Sequence, residues 1–255
     1  MSISIDLSGS TAVVTGASQG IGAAIARRLH EAGAQVVINH PDQQDGKTRA
    51  DAEALVAELE SIRAEAAMPW IADVRDPTAV RGMMQGVKER WGGIDILVNN
   101  AGILKERSVV KLALEDWREV IEVNLSGVFH CCKYGLEVMR EEGSIVCIGS
   151  LAAAAGFPGQ AAYAASKGGI ESLVRVVARE SARRRIRVNG VAPGLVDTPL
   201  LGQVPEDVRM RLVEAVALRR LAEPREVADV VLFLCSPLSS YVTGSIYVVD
   251  GGFAG

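Results

Sequence analysis

Seven short apolar runs, each but the last followed by a longer stretch of helical periodicity, constrain this chain more than any other feature. The runs are TAVVTG (11–16), AQVVIN (34–39), MPWIADV (68–74), IDILVNNAG (94–102), GSIVCIGS (143–150), IRVNGVAPG (186–194) and SIYVVDGG (245–252). Between them the spacing of apolar residues predicts helices over 20–33, 48–65, 77–92, 114–140, 160–184 and 224–236. Runs that are apolar at nearly every position suit strands covered on both faces. Parallel neighbours need a crossover, and a helix between successive strands supplies it. The expectation is therefore an α/β fold: a doubly wound parallel sheet of about seven strands with helices on both faces. No linker, repeat or low-complexity segment divides residues 1–255, so a single domain is expected. The least regular stretch, about 195–222, follows the sixth strand. Ligands of open α/β sheets sit beyond the carboxyl ends of the strands, which makes this stretch a candidate substrate lid.

With 49% hydrophobic residues, the 255-residue chain can bury a large core, and aromatics at 4% leave that core to Ala, Val, Leu and Ile. A net charge of −4 argues against a nucleic-acid face. The one basic run, ARRRIR (182–187), reads as a solvated helix end, where cations are favoured. Cys131, Cys132, Cys147 and Cys235 form no C-x-x-C pair, and His30, His40 and His130 form no ligand motif, so no metal site is expected. The thiols read as buried and free, as in a reducing compartment. The N-terminus lacks a basic segment followed by an apolar core, and no apolar run reaches the ~18 residues of a membrane span. A soluble, cytoplasmic protein is expected.

Two stretches carry chemistry. TGASQGIG (15–22) joins the first strand to the first helix, with Gly16, Gly20 and Gly22 among its residues. Such a loop lets backbone N–H groups and a helix N-terminus meet a pyrophosphate, although a glycine-rich turn alone is ordinary. AAYAASKGG (161–169) sets a phenol, Tyr163, four positions before an ammonium, Lys167, on one helix face. A free phenol has a pKa near ~10, and a nearby cation lowers it towards the range where general acid–base catalysis works. Alone, a Tyr and a Lys so spaced are ordinarily surface neighbours, a Ser after a strand is ordinarily a cap, and an Asn in a helix is ordinarily solvated.

Taken in order, however, the motifs resemble those of the short-chain dehydrogenases/reductases. They are the T-G-x-x-x-G-x-G loop, NNAG (99–102), VNL with Asn124, Ser150 at the end of a strand, Y-x-x-x-K thirteen positions later, PGLVDT (193–198) and VDGG (249–252). The likeness spans essentially the whole chain. It implies a Rossmann-type domain that interconverts a carbonyl and a secondary alcohol with NAD(P)(H). By that resemblance Tyr163 gives a proton to the carbonyl oxygen, Ser150 polarises that oxygen, Lys167 tunes Tyr163 and holds the nicotinamide ribose, and Asn124 supports a relay water behind Lys167. The cofactor would meet Gly16, Ser18, Gln19, Gly20, Ile21 and Gly22 in the loop, and Asn39 and His40 at the end of the second strand. The Asp73 side chain and Val74 backbone would meet adenine. Asn100, Ala101 and Gly102 would flank the adenosine ribose. Pro193, Gly194, Val196 and Thr198 would approach the nicotinamide.

An acid at the end of the second strand binds the ribose 2′-OH of NAD and repels the phosphate of NADP. Here that point carries Asn39 and His40, with Asp42, Lys47 and Arg49 shortly beyond, which leans towards NADP(H) over NAD(H). The apolar LAAAAGFPGQ (151–160) and the amphipathic stretch 198–216 suit an uncharged or partly apolar carbonyl compound. The pattern resembles 3-oxoacyl-carrier-protein reductases and sugar or polyol dehydrogenases alike. An acidic carrier protein wants a basic docking patch. REEGS (140–144) is acidic there, and only Arg183–Arg185 could compensate. The alternatives are a sugar, polyol or other alcohol dehydrogenase, an epimerase or dehydratase that retains its nicotinamide, and a non-catalytic nucleotide-binding regulatory module. The helices at 114–140 and 160–184 are apolar over much of their surface, and by resemblance they pair subunits in a homotetramer.

Overall fold

A computed structural model describes residues 4–42, 46–199, 201 and 206–253. Its strands are β1 (Thr11–Val14), β2 (Gln35–His40), β3 (Ala67–Ile71), β4 (Ile94–Asn99), β5 (Met139–Ile148), β6 (Arg187–Pro193) and β7 (Ile246–Val249). They form one sheet in the order β3-β2-β1-β4-β5-β6-β7, every pair parallel. The helices are α1 (Gly20–Glu31), α2 (Lys47–Ile62), α3 (Pro77–Trp91), α4 (Leu114–Ile121), α5 (Gly127–Val138), α6 (Ala152–Ala155), α7 (Ala161–Ser181), α8 (Glu206–Ala215) and α9 (Pro224–Cys235). The doubly wound sheet expected from the apolar runs is the observed fold. One core layer joins β1, β2 and β4 to α1, α2 and α9 through residues such as Ile25, Leu29, Leu55 and Val231. The other covers the opposite face with α3, α5 and α7 through Met83, Met84, Val128 and Val174.

The strand order reverses between β1 and β4, so the loops that leave these two strands diverge and open a crevice. Most strands also stop short of the sequence-based bounds. β1 ends at Val14, β4 at Asn99 and β5 at Ile148, because the residues that follow turn out of the ladder to line the crevice. β5 in turn begins at Met139, within the stretch expected to be helical, and its register against β4 shifts between Ile94 and Ile96.

Helix limits have local causes. Asp76 caps α3 by accepting from the Thr78 N–H at 2.8 Å, with Pro77 at the first position, and Gly92 ends the helix at φ +81°. A Glu223/Glu226 capping box starts α9. The helix expected over 48–65 stops at Ile62. Arg63 leaves it in an extended conformation and spends its guanidinium on the carbonyls of His30, Gly33 and Ala34. Helix 114–140 is not one regular helix. A π-helical turn, Glu122–Ser126, separates α4 from α5 and holds Asn124. The basic run is not simply solvated either. Arg184 donates to the carbonyls of Leu136 and Met139 at the end of α5, and Arg185 pairs with Glu141 and Glu142. All four cysteines are free and buried, and burial pushes Cys131 and Cys235 up to about 12. No helix among the described residues is long and apolar enough to cross a membrane.

His30, at the end of α1, is buried with neither ring nitrogen partnered in the structure. Burial lowers its pKa, the Arg63 charge adds to this, and Glu60 and Glu31 oppose it. The unfolded chain therefore takes up a proton near pH ~6.5 that the folded chain refuses, so stability falls as pH drops through that value. We predict that the urea midpoint declines between pH 7.5 and 5.5, and that His30→Leu flattens the decline.

Candidate active site

The crevice is a cavity of about 770 Å³ along the carboxyl ends of β1, β2, β4, β5 and β6. Its floor is the loop after β1, and one hydrogen-bond brace holds that loop to the strand across the switch point. Thr15 Oγ1 accepts from the N–H groups of Asn100 (2.9 Å) and Ala101 (3.1 Å). Asn100 Nδ2 returns the contact, donating to the carbonyls of Thr15 and Gly16 at 2.9 Å each. The fit leaves no room for a side chain at Gly22, whose Cβ would lie 2.4 Å from the Gly16 carbonyl oxygen and 2.5 Å from Asn100 Nδ2. Gly16 and Gly20 both take φ near +60°, open to glycine at little cost.

The loop suits a dinucleotide. Gln19 caps α1 without a side-chain hydrogen bond, and no acid lies in the first turn, so the helix presents bare N–H groups to the cavity. Gly16, Ser18, Gln19, Gly20, Ile21 and Gly22 all line it. So do Asp73, Val74, Ala101, Gly102, Pro193, Gly194, Val196 and Thr198. Asp73 is not free, however. Burial pushes its carboxyl up, but hydrogen bonds from the Arg75 guanidinium and backbone outweigh this and hold it below its ordinary value.

At the end of β2 the structure divides the expected pair. Asn39 lines the cavity, with its Nδ2 donating to the Trp70 and Ala72 carbonyls of the β3 side. His40 does not line it. Successive side chains of a strand point to opposite faces, and its buried ring lies with Nδ1 3.0 Å from the Pro41 carbonyl. Pro41, Asp42 and Thr48 line the wall instead. Lys47 and Arg49 pair along α2 with Asp51 (2.7 Å) and Glu53 (2.9 Å) and are not lining residues.

Ser150, Tyr163 and Lys167 converge from β5 and α7. Lys167 is buried, and its Nζ donates to the Ile148 carbonyl at 2.8 Å and stands 5.5 Å from the centre of the Tyr163 ring. Burial pulls this ammonium down to about 8, opposed by Cys147. The expected lowering of the phenol is not what the structure has. Burial raises the Tyr163 pKa, and the hydrogen bond with Ser150 pulls the other way. Burial of the ring outweighs the Ser150 hydrogen bond, and the Lys167 ammonium donates to a backbone carbonyl rather than to the hydroxyl.

Asn124 lies behind this group and does not itself line the cavity. The π-turn brings it to the loop after β4, where Oδ1 accepts from the Ile103 N–H (2.8 Å) and Nδ2 donates to the Ile103 carbonyl (3.0 Å) and Ser166 Oγ (3.1 Å). A methyl on Gly102 would lie 3.4 Å from Asn124 Oδ1 and 3.6 Å from Lys167 Nζ, so the two groups share one neighbourhood. Sequence reasoning missed Thr15, Ile148, Ser166 and Glu106. Thr15 had a signal, since it precedes the first loop glycine, whereas Ile148 acts through its backbone and Glu106 is positioned by a residue 54 positions away. Of the expected lid, residues 200 and 202–205 lie outside those described, while Leu195, Leu201, Val208 and Leu212 line the cavity. Among the described residues no group of three or more His, Cys, Asp or Glu could hold a metal ion.

Comparison with known proteins agrees with this fold. A family model described as enoyl-(acyl carrier protein) reductase matches residues 16–254. A 3-oxoacyl-[acyl-carrier-protein] reductase of Thermotoga maritima is 38% identical over 248 residues, 96% of this chain and 98% of that protein. A cis-4-hydroxycyclohexanecarboxylate dehydrogenase of Sinomonas cyclohexanicum is 41% identical over 246 residues, 95% of each. Among solved structures, a short-chain dehydrogenase/reductase of Brucella melitensis titled glucose/ribitol dehydrogenase superposes with a TM-score of 0.93 at 37% identity. It covers 99% of this chain and 100% of its own.

Keeping Lys167 buried has a cost that can be measured. Its pKa is about 8 in the fold against 10.5 in the open chain. The depression disfavours the folded state by roughly 3 kcal/mol below pH ~8, and this fades as pH rises towards ~10.5. We predict that Lys167→Met raises the unfolding free energy at pH 7 by roughly 1–3 kcal/mol while abolishing turnover, with the gain shrinking at pH 10.

Proposed function

The chain belongs to the short-chain dehydrogenase/reductase family, an NAD(P)-dependent oxidoreductase, and from that premise we propose that it reduces an uncharged ketone or 3-oxoacyl thioester, or oxidises the matching secondary alcohol. The observation that carries this is the convergence of Ser150, Tyr163 and Lys167 on one wall of a cavity whose other end is a glycine cradle. When bound, the nicotinamide supplies or takes up a hydride. The protein's part is the proton and the position. Tyr163 holds its proton tightly, because burial raises its pKa, and presents it to a carbonyl oxygen. Ser150 offers that oxygen a second hydrogen bond, so charge developing on it meets two fixed donors. Lys167 sets a positive charge behind the pair, and Asn124, tied to Ile103 and Ser166, positions the loop against which Lys167 packs. The stretch 195–222 serves as the lid, with Leu195, Val208 and Leu212 turned to the cavity.

For the cofactor we infer a preference for NADP(H). β2 ends on Asn39 and His40 rather than on a carboxylate. Arg49, early in α2, is exposed and held by a solvent-screened i,i+4 ion pair, which a phosphate can displace. Asp42, on the cavity wall, is the residue that opposes this. A free substrate is favoured over a carrier-bound one, because Arg184 and Arg185 are committed to α5 and to Glu141 and Glu142. We infer a cytoplasmic homotetramer. Exposed apolar side chains on α4, α5 and α7 support the assembly (Leu114, Phe129 and Val176), and sedimentation as a monomer at micromolar concentration would exclude it.

Initial rates with acetoacetyl-CoA and with cyclohexanone, each with NADPH and with NADH, test the reading. Tyr163→Phe is expected to lower kcat by about 10³ or more while cofactor affinity stays within about threefold. Unchanged turnover in that variant would remove Tyr163 from the chemistry, and a higher kcat/KM with NADH would reverse the cofactor preference.

A further inference from the structure

The two ends of the cavity differ in charge. Towards β2 and β3 lie the Asp73–Arg75 pair and Glu119, 3.9 Å from Arg75. Beyond Ser150 and Tyr163 the wall is apolar, made by Ile103, Leu151, Phe157, Leu195, Val208 and Leu212. Phe157 is steadied there by Phe253, with ring centroids 5.8 Å apart. One carboxylate faces this apolar chamber. Glu106, on the loop after β4, accepts a 2.7 Å hydrogen bond from Gln160 Nε2, and both residues line the cavity. Gln160 is the residue before α7 and three before Tyr163, so the catalytic helix itself aims the carboxylate. The backbone fixes the same register, since the Arg107 N–H donates to the Gly159 carbonyl at 2.9 Å. Nothing cationic offsets it among the described lining residues of this end except Lys167, which is bound to the Ile148 carbonyl. Arg107, next in sequence, is exposed and turns its guanidinium onto the Glu106 backbone carbonyl.

We propose that the Glu106–Gln160 pair sets substrate specificity, admitting uncharged carbonyl compounds and turning away those that carry a free carboxylate beyond the reacting carbonyl. This rests on the oxidoreductase reading of the same cavity. The physical basis is a like-charge repulsion built against the unwanted substrate; Glu106 is exposed, so water screens its charge in part and the discrimination is modest. The amide of Gln160 is already used in holding Glu106, which fixes the carboxylate on the cavity lining. The relative from Sinomonas cyclohexanicum is named for an anionic substrate; this chain is expected to discriminate against that substrate.

The test compares kcat/KM for ethyl 4-oxocyclohexanecarboxylate and for free 4-oxocyclohexanecarboxylate, with NADPH at pH 7.5, in the wild type and in Glu106→Gln. The expected wild-type preference for the ester is about tenfold, and Glu106→Gln brings the ratio to within about twofold by raising the acid's kcat/KM. Equal rates for acid and ester in the wild type, or a ratio unchanged in the variant, would overturn the proposal. If neither ketone is turned over, calorimetric titration of NADP⁺-saturated protein with cyclohexanecarboxylate and with cyclohexylmethanol decides it. Weaker binding of the acid that Glu106→Gln relieves supports the gate, and no such difference overturns it. Protein that binds no nicotinamide cofactor and reduces no carbonyl compound overturns the oxidoreductase reading itself, an outcome distinct from either result above.

Discussion

Much of the site hangs on the exchange of hydrogen bonds between Thr15 and Asn100. The two strands that these residues follow lie side by side but feed loops that leave in opposite directions, and open space between diverging loops would leave their backbone groups unpaired. Thr15 Oγ1 takes two of those N–H groups, and Asn100 Nδ2 serves two carbonyls of the facing loop. The brace draws the chains together until Gly22 can carry no side chain, and the N-terminus of α1 is thereby aimed into the crevice. A dinucleotide cradle is the by-product of satisfying backbone polarity at a switch point.

The catalytic end is built on the opposite bargain. Lys167 is buried beside a phenol with a single backbone carbonyl bound to its ammonium, an arrangement that burial penalises. The phenol's own pKa is raised by the same dry surroundings. Of the two, only the ammonium is held in a costly state, since burial favours the neutral phenol, and both are fixed on rigid elements. Lys167 and Tyr163 ride one helix, Ser150 ends a strand, and Asn124 sits in a π-turn fastened to the loop after β4. The fold's two large core layers supply the stability that this strain consumes.

The substrate end is built from loops and their flanks. Leu195, Leu201, Val208 and Leu212, after β6, line the apolar chamber, and its one carboxylate is held by a side-chain contact rather than by the sheet. The chemistry is thus tied to the core and the choice of substrate to the loops. This is consistent with relatives named for a carrier-bound thioester, a cyclic hydroxy acid and a sugar alcohol, all at similar identity.

The amino-acid sequence by itself determined the layered fold, because an apolar run buried on both faces has few alternatives to a parallel sheet. It also determined the glycine loop and the Tyr163–Lys167 pair, because both lie within one turn or one helix and local spacing fixes them. What lay further apart was not legible. The π-turn that delivers Asn124 looks in sequence like ordinary helix, and its bulge follows from packing against the loop at Ile103. His40 reads as well as Asn39 for a cofactor contact until the sheet decides which face each side chain takes. The direction of the Tyr163 shift reversed because burial, a property of the whole fold, outweighed the hydrogen bond with Ser150, thirteen residues away. Glu106 and Gln160 meet only because the loop after β4 folds back against the start of α7. Spacing along the chain decides which groups can act together within one element, and tertiary structure decides what solvent, charge and partners each of them has.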